Sequence, residues 1–306
     1  MPETVIKTTG VSKQYGKFSA ISNLDMDVKE GDIYALIGQN GAGKTTLLKL
    51  LSGLSLASSG EIEMLGENSE KGLEKARSKV GCIIETPGFF PYLSAEKNLE
   101  YYRIQRGIKD LDCVRRSLKF VGLSDTGNKK FKNFSLGMKQ RLGLALAVLD
   151  EPQVLLLDEP INGLDPMGIK EFREILQKLN KEKHTTILIS SHILGELSQI
   201  ATTYGFIRGG KLIEHISAED LHNKCRSFFK LVVDDASKSQ EILSKIMPMQ
   251  NVQAVGSNEL HIKGLDEKTE NIIKALVENG VMVSQAYPTG MNLEQYFVNL
   301  MGGDAQ

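Results

Sequence analysis

The sequence predicts an α/β protein: a parallel sheet carrying an inserted helical subdomain, followed by a small C-terminal α+β module of ferredoxin-like order βαββαβ. Three observations predict it. The apolar run Ile33 to Ile37 leads straight into the glycine-rich stretch Gly38 to Gly43 and then a helix-like segment ending Leu47 to Leu51. Two further buried-looking strands, Val154 to Leu157 and Thr185 to Ser190, are separated by a helical stretch, Gly168 to Leu179, as a parallel sheet requires. Beyond Ser217 the periodicity alternates between strand and helix in the order βαββαβ.

In chain order, Val5 to Thr8 and Ala20 to Val28 read as strands, and the turn Lys29-Glu30-Gly31-Asp32 introduces the strand Ile33 to Ile37. From about 86 to 150 the spacing becomes helical, with Ala95 to Gly107, Leu111 to Val121 and Leu136 to Leu149 as predicted helices. Phe206 to Arg208, Gly209-Gly210 and Lys211 to His215 form a closing hairpin, so a first domain is expected over residues 1–215. In the second, 218–306, the expected elements are strand Phe228 to Val233, helix Ser237 to Ile246, strands Val252 to Val255 and Glu259 to Ile262, helix Glu267 to Glu278, strand Val281 to Ala286 and helix Leu293 to Leu300. This second domain offers no clustered acids, histidines or glycine loop and is expected to be accessory.

Composition narrows the function classes. The 306 residues carry 37 Lys plus Arg against 38 Asp plus Glu, and no basic segment gathers enough charge to draw in a nucleic-acid backbone. Cys82, Cys113 and Cys225 are odd in number and lack C-x-x-C spacing, which argues against a disulfide framework or zinc site and fits a reducing compartment. Met1 to Gly10 lacks the basic start and apolar core of a signal peptide. The apolar run Leu142 to Leu149 falls far short of the roughly 20 residues a membrane crossing needs.

Gly38 to Thr45 satisfies G-x-x-x-x-G-K-[ST], with the strand before it and the helix after it that a phosphate loop requires. Gly38, Asn40, Gly41, Ala42, Gly43 and Thr46 offer backbone N–H groups that can curl round phosphates. Lys44 reaches the β and γ oxygens, and the Thr45 hydroxyl faces Mg²⁺. The companion acids present a choice, because Leu-Asp-Glu-Pro occurs twice, at Leu149 to Pro152 and at Leu157 to Pro160. Only the second follows a β-type run, which carries Asp158 and Glu159 to the carboxyl end of a strand, where ligands bind in open α/β sheets. Asp158 is therefore expected in the Mg²⁺ shell and Glu159 as general base, with Asp150 and Glu151 a solvated helix terminus.

These residues together resemble the ABC ATPase family over positions 1 to about 215, which implies a P-loop ABC ATPase core. Asn133-Phe134-Ser135-Leu136-Gly137-Met138-Lys139-Gln140-Arg141 resembles the family signature, whose usual core is Leu-Ser-Gly-Gly-Gln; Ser135 and Gly137 match, while Leu136 and Met138 depart. The resemblance implies that Ser135 and Gly137 meet the γ-phosphate held by an opposite subunit. It also implies that Asn162-Gly163-Leu164-Asp165 is a dimer-crossing loop, that His192 contacts the γ-phosphate and that Tyr15 stacks on adenine. Most of the family carries glutamine where Glu85 stands, so Glu85 is expected to ligate Mg²⁺ and to couple through the loop Pro87 to Leu93. Glu85-Thr86-Pro87-Gly88-Phe89 and Met291-Asn292-Leu293-Glu294-Gln295-Tyr296-Phe297 resemble the ATPases of bacitracin-resistance and lantibiotic-immunity exporters. The implied substrate is ATP with Mg²⁺. The implied partners are a second copy of the chain and a separately encoded permease at the cytoplasmic face of the membrane. A soluble ABC-type regulator is the alternative, against which stand a single cassette and no long coiled coil between its motifs.

Overall fold

The computed structural model describes residues 2–85, 88–225, 228–248, 251–263, 269–289 and 293–302. Thr86, Pro87 of the expected coupling loop, Glu267 and Lys268 of the expected helix, and Met291 and Asn292 of the exporter-like segment lie outside the described residues. The chain divides into two compact units, Met1–Ala218 and Glu219–Gln306.

The first unit opens with β1 (Thr4–Tyr15) and β2 (Phe18–Lys29), an antiparallel hairpin closed by Gly16 and Lys17. Both strands run longer than their apolar alternation indicates, because register shifts along the pair interrupt the period of two. The buried β3 (Ile33–Ile37) leads into α1 (Lys44–Leu51), which begins three residues before the apolar turn that announced it. Next come β4 (Ser59–Met64), α2 (Glu70–Arg77) and β5 (Val80–Ile83). β4 pairs with β1, so β2-β1-β4 is a separate antiparallel sheet that the strand pattern did not announce.

The helical stretch holds α3 (Ala95–Gln105), α4 (Cys113–Phe120) and α5 (Leu136–Ala147). Ser94 and Ser135 cap α3 and α5 by accepting a first-turn N–H, the usual way of satisfying an orphan donor. The buried Asn98 side chain accepts from the Phe90 N–H at 2.7 Å and donates to the Phe90 carbonyl at 3.2 Å, fixing the segment that enters α3. β6 (Val154–Asp158), α6 (Pro166–Lys183), β7 (Thr186–Ser191), the short α7 (Leu194–Leu197), β8 (Thr203–Arg208) and β9 (Lys211–Ser217) complete the unit. The main sheet has the order β5-β6-β7-β3-β8-β9, with β5 to β8 parallel and β9 antiparallel at the edge. Leu47, Leu50, Leu156, Leu188 and Ile207 are fully buried between α1, the main sheet and the antiparallel sheet. Each fully buried side chain of this kind contributes about 1.5 to 3 kcal/mol.

After α8 (Ala218–Lys224), the second unit runs β10 (Phe228–Val233), α9 (Ala236–Ser244), β11 (Val252–Val255), β12 (Glu259–Lys263), α10 (Thr269–Glu278), β13 (Val283–Thr289) and α11 (Leu293–Gly302). Its antiparallel sheet has the order β11-β12-β10-β13, the ferredoxin-like arrangement that βαββαβ implies. Alternate residues Leu231, Leu260 and Ile262 pack with Leu243, Ile272 and Leu276 of the helices into a core of their own.

Candidate active site

Three adjacent parallel strands, β6, β7 and β3, deliver their carboxyl ends to one place. β3 ends in the phosphate loop. Gly41 and Gly43 hold left-handed φ values of 80° and 112°, which L side chains rarely adopt. A Cβ at Gly38 would stand 2.4 Å from the Ile207 carbonyl oxygen, so only glycine fits where the loop passes β8. No side chain caps α1 and no acid sits in its first turn, which leaves its N-terminal dipole open to an anion.

Lys44 is almost fully buried, yet its ammonium has three acceptors, as many as it has donors. It donates to the Gly38 carbonyl at 2.7 Å and the Gln39 carbonyl at 3.2 Å, and it pairs with Glu159 Oε1 at 3.0 Å. Burial without such partners would carry a large desolvation penalty.

β6 ends on Asp158, with Glu159 next at φ 45°, a strained value for a residue of this type. The Thr45 hydroxyl donates to Asp158 Oδ2 at 2.7 Å, and the Ser190 hydroxyl donates to Asp158 Oδ1 at 2.7 Å. Ser190 stands opposite Asp158 across the β6–β7 pairing, and its oxygen also accepts the Glu159 backbone N–H at 3.0 Å. One buried serine thus fixes the side chain of the first acid and the main chain of the second. Sequence reasoning missed this function of Ser190, taking it only as the end of the strand Thr185 to Ser190; the signal lies in strand register, which no local pattern states. His192 Nδ1 lies 2.7 Å from Glu159 Oε2, and Asn162 Nδ2 donates to the same oxygen at 3.4 Å. Lys44, Thr45, Asp158, Glu159 and His192 therefore form one connected cluster.

The other expected residues make their contacts outside this cluster. Tyr15, at the end of β1, is half-exposed, with Lys13 Nζ 4.9 Å from its ring centre. Glu85, at φ 65°, pairs with Lys49 of α1 at 2.6 Å, and this hydrogen bond raises the Lys49 ammonium above its usual range. Ser135 accepts the Met138 N–H at 3.3 Å, beside an exposed Leu136. Gly137 and Gly163 face Leu164 and Leu136 in turn, so the start of α5 packs on the 162–165 loop, whose Asp165 caps α6. Among the described residues no hydrogen bond or ion pair joins Ser135 or Gly137 to the phosphate loop of the same chain. Glu151, in the other Leu-Asp-Glu-Pro segment, is exposed on the surface and pairs with Lys183 at 3.1 Å. No group of three or more His, Cys, Asp or Glu side chains among the described residues is placed to hold a metal ion unaided.

A phosphate loop with two acids at the carboxyl end of a parallel strand one place removed in the same sheet defines a cassette that binds a nucleoside triphosphate. The family described as ABC transporter matches residues 21–162. The bacitracin transport ATP-binding protein BcrA of Enterococcus faecalis is 39% identical over 301 residues, covering 98% of this chain and 97% of that protein. The lantibiotic transport ATP-binding protein SrtF of Streptococcus pyogenes is 42% identical over 221 residues, covering 71% of this chain and 94% of its own length. A bacterial ABC transporter cassette solved as a dimer superposes with a TM-score of 0.61 at 25% identity, over 70% of this chain and 98% of that one. The chain belongs to the ABC transporter family, as an ATP-binding subunit with ATPase activity. Among its described residues no helix is long and apolar enough to cross a membrane.

Proposed function

We propose that the chain is the motor of an exporter for a peptide antibiotic such as bacitracin or a lantibiotic, working as a dimer at the cytoplasmic face of the membrane on a separate permease. The observation that carries the catalytic part is the chain of contacts Thr45–Asp158–Ser190–Glu159, with Lys44 and His192 both on Glu159. The similarity to the bacitracin relative supports the cargo, since it extends over 98% of the chain and so takes in the C-terminal unit.

In this reading Lys44 and the backbone N–H groups of 38–46 bind the β and γ phosphates. The Thr45 hydroxyl and Asp158 carboxylate are hard oxygen donors 2.7 Å apart, a pair suited to Mg²⁺, which keeps waters and phosphate oxygens in the rest of its shell. That ion, when bound, neutralises charge developing between the β and γ phosphates. Glu159 orients the attacking water and accepts its proton. His192 donates from Nδ1 to Glu159 and thereby presents Nε2 for the γ-phosphate; a bond to a phosphate oxygen then requires a proton on that nitrogen too. Glu159 holds Lys44 until phosphate oxygens compete for the ammonium, so substrate binding itself frees a carboxylate oxygen for water. Tyr15 stacks on adenine. Ser135 and Gly137, at a helix start, meet the phosphates bound by the second copy. Glu85, paired with Lys49 through Oε1, would offer its second oxygen to the metal, which makes it a coupling residue between nucleotide and helical block. The C-terminal unit is an accessory domain, dimer-supporting or regulatory, without chemistry of its own.

Loss of the gene should lower the bacitracin or lantibiotic concentration that arrests growth of the host. The wild-type chain should restore resistance, and Lys44→Ala should not. Unchanged susceptibility to both compound classes refutes the cargo, and an active ATPase that recovers no membrane protein from detergent extracts of its host refutes the transport role.

A further inference from the structure

Of the two Leu-Asp-Glu-Pro segments, Leu149–Pro152 takes no part in the nucleotide site. It borders instead a cavity of about 330 Å³ lined by α4, the turn after α5 and the C-terminal end of α6. That size falls within the roughly 300–1,000 Å³ of small-molecule sites. Its inner wall is apolar, with Phe120, Leu149 and Leu179. Its mouth carries two cations, Arg116 and Lys183, and one acid, Glu151. A third cation, Lys178, lies over the Phe120 ring at 5.5 Å.

We infer that this cavity binds a small amphipathic anion, an aromatic or branched apolar body bearing one acidic group. The excess of cations over acids favours an anion, since Arg116, Lys178 and Lys183 stand against Asp110 and Glu151. The mouth cations have surface partners, Asp110 for Arg116 and Glu151 for Lys183, and the side chains of both pairs are about half exposed. Exposed pairs of this kind are weakly held, so an incoming acid group can share or displace them. Arg116 reaches Asp110 through Nη2 alone, and a guanidinium has five N–H donors to offer. The location adds a consequence. α5 and α6 end at the cavity, and their other ends are capped by Ser135 and Asp165, beside the loop expected to face a second copy. An occupant joins α4 to the far ends of both helices and so acts on ATP turnover without touching nucleotide. This consequence rests on the catalytic reading above; the binding site does not.

The probe is 8-anilinonaphthalene-1-sulfonate, an aromatic sulfonate whose fluorescence rises in apolar surroundings, titrated into the full chain with excess ADP present. One molecule should bind per chain. Arg116→Glu with Lys183→Glu, both at exposed positions, should weaken it by about tenfold or more. Leu179→Trp, which fills the cavity, should abolish it while a fluorescent ATP analogue still binds. The probe should shift ATP turnover in the wild type and leave the doubly substituted chain unaffected. Equal probe affinity in the wild type and the charge-reversed chain, or displacement of the probe by ADP, overturns the site. Binding with the expected variant pattern but no change in turnover overturns its action on the helices, and leaves the assignment of Glu159 and Lys44 standing.

Discussion

Glu159→Gln tests the catalytic reading most directly. The substitution keeps size and one oxygen acceptor, so contacts to Lys44 at 3.0 Å or His192 at 2.7 Å can still form. The backbone bond to Ser190 is untouched, and the strained φ of 45° stays anchored. What disappears is a proton acceptor. General-base catalysis is worth about 10²- to 10⁴-fold in rate, equivalent to about 2.7 to 5.4 kcal/mol of barrier. A second effect has the opposite sign. Lys44 loses a charged partner for a neutral one, a difference of about 1 kcal/mol, so phosphate competes for it more easily and ATP binds up to about fivefold more tightly. The expected signature is therefore a kcat at least about 100-fold lower with KM unchanged or reduced, and a chain that elutes as a dimer with Mg·ATP. Initial rates of phosphate release over a range of ATP concentrations, together with gel filtration, measure both. The companion change Glu151→Gln, at an exposed carboxylate paired with Lys183, should leave turnover within a few fold. A Glu159→Gln chain within about tenfold of wild-type kcat, or a collapse at Glu151→Gln, refutes the assignment.

Lys44→Ala removes a charge-assisted phosphate contact worth about 1.5 to 3 kcal/mol, and titration with a fluorescent ATP analogue should show affinity about tenfold or more lower. Ser190→Ala should both slow turnover and destabilise the fold by about 1–3 kcal/mol, because it leaves the Glu159 N–H and Asp158 Oδ1 without their partner; denaturant titration and steady-state rates check the two effects. Glu85→Gln loosens an exposed pair with Lys49 and should keep basal turnover within a few fold while altering permease-stimulated turnover; basal loss as deep as that of Glu159→Gln would make Glu85 a catalytic carboxylate.

Residues whose function depends on local order were legible in the sequence. The phosphate loop announces itself by spacing, and the choice between the two Leu-Asp-Glu-Pro segments follows from the β-type run before Asp158. The second unit was legible as βαββαβ because short strand-like and helix-period segments follow one another in that order, with Leu231, Leu260 and Ile262 inward. What the sequence hid is non-local. β4 begins with three exposed residues, Ser59, Gly60 and Glu61, and becomes a strand by pairing with β1, so residues 52–85 gave no sheet signal. The Lys49–Glu85 pair joins residues far apart in the chain. One miss was avoidable: α6 starts at Pro166 rather than 168, and Asp165 followed by proline is a helix-start signal in its own right.

The hidden Ser190 explains why this chemistry needs a parallel sheet. In the order β6-β7-β3 each strand supplies one part at the same end: Asp158 and Glu159 from β6, Ser190 and His192 from β7, and the loop with Lys44 and Thr45 from β3. The ladder sets Asp158 against Ser190, and Ile37 against Ser191, so the depth of each part follows from backbone hydrogen bonds rather than from side-chain rotamers. An antiparallel neighbour would present its amino end there and carry its following loop to the opposite edge. A one-residue slip of β7 would turn Ser190 to the other face of the sheet and leave Asp158 and the Glu159 N–H unpaired together. The register therefore holds the two acids at fixed separation from Lys44, with Glu159 Oε1 3.0 Å from its ammonium.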